Sequence, residues 1–297
     1  DISFNGNLYQ NGDVFQTVTS ANDLSDISFN TTNTTDGQSL VWNSTDGVWE
    51  AGVVTGTSET EIRSLLGSRI YGVATGDDTG WSTTINSNGD IIAIGAPLNR
   101  RNGSYYKGLV RVYQYTNNTW SQLGQDISGE TSGSLFNSRI GSSLSINGDG
   151  TILAVASEHG KDVRVFQYSN NTWSQLGQDI TGTDTNYSRS ISLNNNGTIL
   201  AISSPYSNGS GGESYGGHVE VYQYSNSNSN STWSPLGTNL QGDVEKQYFG
   251  ESVSLNNDGS IIAIGGHEGQ VGNGVVRVYQ NINSTWTQLG TDLNGLQ

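Results

Sequence analysis

The chain has no cysteine, no methionine, three prolines and only twelve basic side chains in 297 residues. Without cysteine there is no disulfide framework, no thiolate zinc site and no cysteine nucleophile. Charged residues make up 13% and apolar residues 32%, against about 25% and 45–50% in ordinary globular domains. The longest apolar runs are of about five residues, far short of the ~20 that a membrane-spanning helix needs. No N-terminal stretch reads as a secretory signal. Twelve basic against 27 acidic residues give a net charge of −15 and a pI near 4.3. That charge repels phosphate backbones and argues against nucleic acid as a partner. A chain that does not open on methionine is expected to start at a processing site or to belong to something longer.

What the chain has in quantity is glycine, 40 residues of it, with serine, threonine and asparagine. These are arranged in a tandem repeat, the signal that most constrains a fold when present. VRVYQY at 110–115 recurs as VRVFQY at 163–168, VEVYQY at 219–224 and VRVYQN at 276–281. IIAIGAP at 91–97 recurs as ILAVASE at 152–158, ILAISSP at 199–205 and IIAIGGH at 261–267. A Leu-Gly anchor occurs five times, at Gly67, Gly124, Gly177, Gly237 and Gly290, at intervals of 57, 53, 60 and 53 residues. Five anchors enclose four units: 67–123, 124–176, 177–236 and 237–297.

Each unit reads as four short antiparallel strands. The first ends in SLSIN or SVSLN. It turns at Asn88-Gly89, Asp149-Gly150, Asn196-Gly197 or Asp258-Gly259, pairs typical of β-hairpins. The second strand is apolar throughout, as in a sheet buried on both faces. The third alternates valine with arginine and tyrosine. The fourth carries a tryptophan in every copy: Trp120, Trp173, Trp233 and Trp286. Sheets of this kind, copied in tandem and apolar on both faces, predict an all-β propeller. Length varies between the second and third strands and between the anchor and the first strand, where binding surfaces are usually built.

Phe249-Gly250 with Gly265, and Gly95-Ala96-Pro97, resemble FG-GAP repeats, the blades of integrin α-type propellers. The longer word, W-x-Q-L-G followed by S-x-S-L-N-x-D-G, IAIGAP and VRVYQ, is similar to surface proteins of marine microbes and large algal viruses. The resemblance covers about residues 67–297. It implies an adhesive propeller and, in its calcium-binding members, a D-x-D-x-D-G loop between the first two strands. Here that stretch, Asn147–Gly150 or Asn256–Gly259, is too short for a full oxygen shell, so no cofactor is expected. Residues 1–66 lie outside the repeat. Short strands are expected around Asn5-Gly6 and Asn11-Gly12, a hairpin across Ser44–Gly47, and a connector helix over 59–66 capped by Ser58 and Glu61. DGQSLVWN followed by DGVWE resembles small modules of viral and phage fibres, and implies an attachment segment through which the protein could oligomerise.

Linear catalytic words are scarce. His159 and His267 occupy equivalent loops, each beside a glutamate, and read as a duplicated loop. Gly212-Glu213-Ser214-Tyr215-Gly216 matches the nucleophile elbow G-x-S-x-G, but no helix follows it. Asp77-Asp78 lies in a glycine-rich loop. Arg100, Arg101, Tyr105, Tyr106 and Lys107 gather cationic and aromatic groups in one loop and are the candidate ligand contacts. Eleven Asn-x-Ser/Thr sequons occur. Those in or beside the repeat turns and loops, at Asn102, Asn117, Asn170, Asn196, Asn208, Asn230 and Asn283, are candidate glycosylation sites. The expectation is therefore a non-enzymatic glycoprotein outside the cell or on a virion. It would bind a cell-surface glycan or protein through its loops, or decorate a capsid or filament by contacting neighbouring subunits. An enzyme with acids converging from different blades, a polysaccharide hydrolase or lyase, is the remaining alternative.

Overall fold

The computed structural model describes residues 6–10, 13–18, 39–43, 48–52, 66–100, 106–129, 138–157, 161–182, 187–227, 230–267 and 274–295. The chain divides into two compact units, Asp1–Leu65 and Leu66–Gln297. In the first, β1 (Gly6–Gln10) pairs with β2 (Asp13–Val18), and β3 (Ser39–Asn43) pairs with β4 (Val48–Gly52), both antiparallel. The expected helix over 59–66 lies outside the described residues except for Leu66, which sits in a bend, and no helix occurs among the described residues.

The second unit is four antiparallel sheets, one per repeat, and is a propeller-type fold. Blade 1 holds β5 (Ser82–Ile85), β6 (Ile91–Ala96), β7 (Leu109–Thr116) and β8 (Thr119–Gln122), with the two-residue β9 (Ile127–Ser128) pairing back onto the start of β7. Blade 2 repeats this with β10 (Ile140–Ile146), β11 (Ile152–Ser157), β12 (Asp162–Ser169), β13 (Thr172–Gln175) and β14 (Ile180–Thr181). Blade 3 has β15 (Ile191–Leu193), β16 (Ile199–Ser204), β17 (His218–Ser227), β18 (Asn230–Pro235) and β19 (Leu240–Gln241). Blade 4 has β20 (Ser252–Leu255), β21 (Ile261–Gly266), β22 (Val275–Ile282), β23 (Thr285–Gln288) and β24 (Leu293–Asn294). The first strands β5, β10, β15 and β20 pack on one another in sequence, which makes them the innermost strands.

The two tight turns of each blade differ in mechanism. In the turn after the first strand only the glycine has positive φ, at Gly89, Gly150, Gly197 and Gly259. The preceding asparagine closes that turn: Asn147 Oδ1 accepts from the backbone N–H of Thr151 and Ile152 at 2.9 and 2.8 Å, and Asn194 does the same for Thr198 and Ile199. The turn before the tryptophan strand instead places two consecutive residues at positive φ, Asn117-Asn118, Asn170-Asn171 and Asn283-Ser284. This is the two-residue turn that matches the twist of its strands, and asparagine tolerates it best after glycine. The repeated asparagines thus have a backbone role whether or not their sequons are modified.

Blades join in three ways. Apolar faces interdigitate in three cores among the described residues, one at each junction. At the first, Val110 and Val112 of blade 1 meet Leu144, Leu153 and Val155 of blade 2. Small hydroxyls on one inner strand then accept backbone N–H groups of the next, as Ser145 does from Leu193 at 2.8 Å and Ser192 from Leu255 at 3.0 Å. This accounts for the S-x-S spacing of the inner strands. Finally, each tryptophan reaches back to the preceding anchor. The indole N–H of Trp173 donates to the Leu123 carbonyl at 2.9 Å, Trp233 to Leu176 at 3.0 Å, Trp286 to Leu236 at 2.9 Å and Trp120 to Leu66 at 2.7 Å. The glycine after each of these leucines has a φ of +73 to +82°, and a Cβ there would meet the tryptophan Cδ1 at 2.7–3.0 Å. The anchor is Leu-Gly because the backbone must turn left-handed with an indole against it.

At the hairpin end, backbone bonds climb from turn to turn: Ser87 N–H to Gly148 O, Gly148 N–H to Asn195 O and Asn195 N–H to Asn257 O, at 2.8–3.0 Å. Among the described residues, only blades 2 and 3 have a core on both faces. The expectation that every second strand is buried on both sides holds for β16, whose six residues are all buried, and gives way to alternation in β6 and β21. The physical reason is that no comparable core joins blade 4 to blade 1 among the described residues.

The indole contact carries a testable cost. Trp233→Ala should destabilise the protein by about 3–5 kcal/mol, the range for deleting a buried aromatic. Trp233→Phe should cost about 1–3 kcal/mol by leaving the Leu176 carbonyl unpaired. Urea unfolding of both variants checks the order; equal stability of Trp233→Phe and wild type would remove the hydrogen bond from the account.

Candidate functional site

Strand direction alternates within a blade. The two connections that vary in length, from second to third strand and from anchor to first strand, therefore emerge at the same end, opposite the tight turns. The residues that could act on a ligand are found at this loop end.

On blades 3 and 4 the loop end is aromatic. Tyr248 stacks on His267 with ring centroids 4.9 Å apart and planes within 8°, and on Tyr215 at 5.9 Å and 20°. Tyr206 packs edge-on against Tyr248 at 5.3 Å and against Tyr215 at 6.5 Å. Tyr215 and Tyr248 both adopt positive φ, +57° and +49°. That conformation is strained for a bulky residue and is held only where surrounding structure over-determines it. The backbone N–H of Tyr248 donates to the Tyr215 carbonyl at 3.0 Å, which ties the two connections together.

Beside this platform, Glu251 immediately precedes the innermost strand of blade 4. Its Oε1 accepts from Arg189 Nε at 3.1 Å, and its Oε2 is buried without a hydrogen-bond partner. Arg189 and Glu251 occupy the same repeat position, filled by Trp81 and Ser142 in blades 1 and 2. Glu251 and His267 together line a cleft of about 410 Å³ whose remaining wall is Ser252, Asn294, four glycines and Val275, Val276 and Leu293. A carboxylate bonded to a guanidinium thus shares a cleft with an imidazole stacked on an aromatic surface, an arrangement able to bind a ring and move a proton.

The third strand of each blade carries a charged or acidic residue at one position, Arg111, Arg164, Glu220 and Arg277. Arg111 makes a bidentate pair with Asp126, Nε–Oδ1 2.8 Å and Nη2–Oδ2 3.2 Å. Arg277 pairs with Asp292 at 3.0 Å and with Asp243 at 2.8 Å. Arg164 pairs with Asp162 at 3.0 Å, both buried, and burial raises the Asp162 carboxyl above its ordinary value despite Arg164. In blade 3 the polarity is inverted. Asn239 replaces the aspartate and donates to Glu220 at 3.2 Å, and the hydroxyls of Tyr187 and Tyr222 donate to the same carboxylate at 3.1 Å. Burial first, then the Glu220 charge, pushes Tyr222 up to about 12 and Tyr187 higher still, so both remain donors.

The loop expected to bind a ligand is only partly described. Arg100 lies over the Tyr106 ring at 4.4 Å and bonds its hydroxyl, and Arg139 approaches the same ring at 5.7 Å. The Lys107 carbonyl accepts from Ile140 N–H and Ser138 Oγ. Arg101, Asn102 and Tyr105 lie outside the described residues, as do His159, Glu158 and Glu268. Arg100 of this loop is thus engaged with a tyrosine, and the more open aromatic surface is on blades 3 and 4. Asn117, Asn170, Asn196, Asn208 and Asn283 are exposed, while nothing is described of the side chain of Asn230.

Three motif readings are settled locally. The G-x-S-x-G segment is a compact turn, with Gly212 N–H on Gly209 O and Gly216 N–H on Glu213 O, and strand β17 follows it. It forms no nucleophile elbow. Asp77 accepts from the N–H groups of Thr79, Ala74 and Val73 and from Thr79 Oγ1. Burial alone would raise its pKa, but these donors together lower it, which makes it the clasp of its loop. Ser207 Oγ lies 2.6 Å from His218 Nδ1 and donates to Ser204 O at 2.7 Å. Its proton is committed there, so the pair anchors the root of the blade 3 loop. Ser207 fills the turn position of Asn99, and the carbonyl of each accepts from a glycine, Gly217 and Gly108.

Sequence reasoning missed Tyr206, Tyr215, Tyr248, Arg189 and Glu251. Tyr206, Tyr248, Arg189 and Glu251 depart from their blade 1 or blade 2 counterparts at the loop end, and that departure is the signal that marks them, whereas Tyr215 repeats Tyr106 of blade 1. Among the described residues no cluster of three metal-ligating side chains occurs.

No family model matches the chain, and no curated protein matches it. Solved structures do. A candidate 6-phosphogluconolactonase from Bacteroides uniformis superposes with a TM-score of 0.50 at 15% identity, over 84% of this chain and 63% of that one. The periplasmic gluconolactonase PpgL of Pseudomonas aeruginosa superposes with a TM-score of 0.51 at 13% identity, over 77% of this chain and 60% of that one. The chain therefore spans about six-tenths of the length of either structure. At this identity the likeness shows the fold, a propeller. It also corrects the expectation of a non-enzymatic adhesion, display or decoration protein of the FG-GAP or virion-surface kind, because these propellers are named for opening lactones. That expectation rested on the regularity of the repeat, on acidity and on missing linear catalytic motifs. In a propeller, groups from different connections can meet at one end, as Arg189 of blade 3 does with Glu251 of blade 4, and no short word displays them.

The pair at Arg277 gives a pH signature. Arg277 holds the Asp292 carboxyl below its ordinary 3.8. A lowered folded value stabilises the fold above 3.8, and that contribution is lost as pH falls through the lowered value. Arg277→Gln should therefore flatten the loss of stability below pH 3.8 in acid titrations followed by circular dichroism. An unchanged acid limb would show that the pair contributes nothing, as screened pairs often do.

Proposed function

We propose that this chain forms part of a propeller hydrolase that opens a neutral sugar lactone. The observation that carries the reading is the stack of His267 on Tyr248 at the edge of the cleft that Glu251 also lines. Its likeness in fold to propellers named as gluconolactonases supports it.

The chemistry asks little of the protein. A lactone carbonyl is an activated ester, so one base to deprotonate water and one donor for the leaving oxygen suffice. The apolar face of the sugar ring lies on Tyr248 and Tyr215, which offer large, rigid surface. His267 takes a proton from water as the water oxygen bonds to the carbonyl carbon. The ring C–O bond then breaks, and the imidazolium returns the proton to the departing alkoxide, giving an open-chain hydroxy acid. Arg189 orients Glu251, whose free oxygen accepts a substrate hydroxyl. With a net charge of −15 the protein attracts a phosphorylated lactone poorly, which favours a neutral substrate and speeds departure of the carboxylate product.

Proton release from gluconolactone in weak buffer tests this. Wild type should exceed the spontaneous rate. His267→Ala should lower kcat by about 10²–10⁴-fold, the usual contribution of a general base. Tyr248→Ala should chiefly raise KM, as loss of uniform ring binding does. A wild-type rate equal to buffer alone, with gluconolactone and its 6-phosphate, would sink the proposal.

A further inference from the structure

Among the described residues, the open face of blade 4 carries the receiving half of a blade-to-blade joint with nothing packed on it. At the third-strand position where Val110, Val163 and Val219 are 0% exposed, Val276 is 38% exposed. At the fifth-strand position where Ile127, Ile180 and Leu240 are 3–6% exposed, Leu293 is 61% exposed. The anchor repeats the pattern. Gly290 has the left-handed φ of its counterparts, +79°, but a Cβ on it would meet nothing within 4 Å, whereas at Gly67, Gly124, Gly177 and Gly237 it would meet an indole. Leu289, whose carbonyl corresponds to those that receive an indole N–H, is 50% exposed.

We infer that this face is a docking surface for one further blade of the same repeat, seated by a tryptophan indole N–H on the Leu289 carbonyl. The three existing joints define the occupant. It must bring an unbonded tryptophan on its fourth strand and aliphatic residues on its first, as blade 4 brings Trp286 and Val253 to blade 3. A second copy of this chain does not meet that description. The tryptophan on its own open face, Trp120, already donates to Leu66 O at 2.7 Å. Its first strand also offers Thr83 where blades 2 to 4 offer Leu144, Ile191 and Val253. The added blade would supply a second wall to the cleft beside Glu251 and His267. The inference stands on joint geometry alone and is independent of any activity.

The full chain extended past Gln297 with a second copy of residues 245–297 tests it, because that join keeps the repeat in register. The added tryptophan should emit at the shorter wavelength of a buried indole, and Tm should rise by at least about 4 °C. Val276→Asp with Leu293→Asp should erase the rise in the extended chain and leave Tm of the original chain unchanged, since both side chains are exposed there. Two results would overturn the inference. One is an added unit that stays protease-sensitive with Tm unmoved. The other is a dimer of the original chain, twice 31.7 kDa, that Val276→Asp dissociates, which would give the face to a second copy.

Discussion

The hydrogen bond from each tryptophan indole to the preceding Leu-Gly anchor sets the spacing of the whole repeat. It links residues 50 to 57 apart in sequence, so it fixes how one blade lies on the one before. It does so with a neutral donor and a backbone acceptor at a joint that is otherwise apolar. The aliphatic contacts of the joint are non-directional and would tolerate sliding. The indole bond and the hydroxyl bonds of the inner strands do not. In the first two joints a glutamine adds to it: Gln125 and Gln178 each clamp the peptide of the next tryptophan by donating to its carbonyl and accepting its N–H. Thr238 replaces glutamine at the third.

This scaffold separates rigid from variable surface. Every tight turn, with its asparagine clasp and its climbing backbone bonds, is at one end. Every connection of variable length is at the other. Substitutions at the loop end alter chemistry without disturbing a joint, and that is where the aromatic platform, Arg189, Glu251 and His267 occur. The charged position of the third strand shows the same economy inside a joint. Blade 3 exchanges arginine for glutamate and aspartate for asparagine, and two tyrosines, Tyr187 buried and Tyr222 half-buried, supply the donors that the arginine would have supplied.

Much of the fold was legible in the residues. VRVYQY, IIAIG and the tryptophan strand map onto β7, β6 and β8 and their copies, because each word encodes a local period and a local turn. Asn-Asn and Asn-Ser before the tryptophan have a clear backbone role once both are seen at positive φ. The S-x-S spacing could be read as a pattern but not explained, since its hydroxyls bond a neighbour about fifty to sixty residues away. The site was not legible. Tyr206, Tyr215, Tyr248 and His267 come from three connections, and Glu251 differs from its repeat counterparts by a single letter.

The sequence by itself determined an all-β repeat of four blades, its strand order, its turns and its acidity, since these follow from local patterning and composition. Tertiary structure decided what could be done with them. Stacking order chose which faces are buried, so that Val219 is sealed and Val276 is not. Strand direction chose which loops meet, and so brought a tyrosine, a histidine and a glutamate to one edge. The physical reason is that a joint and a site are both relations between units. Identical words meet different neighbours at the middle and at the end of a stack.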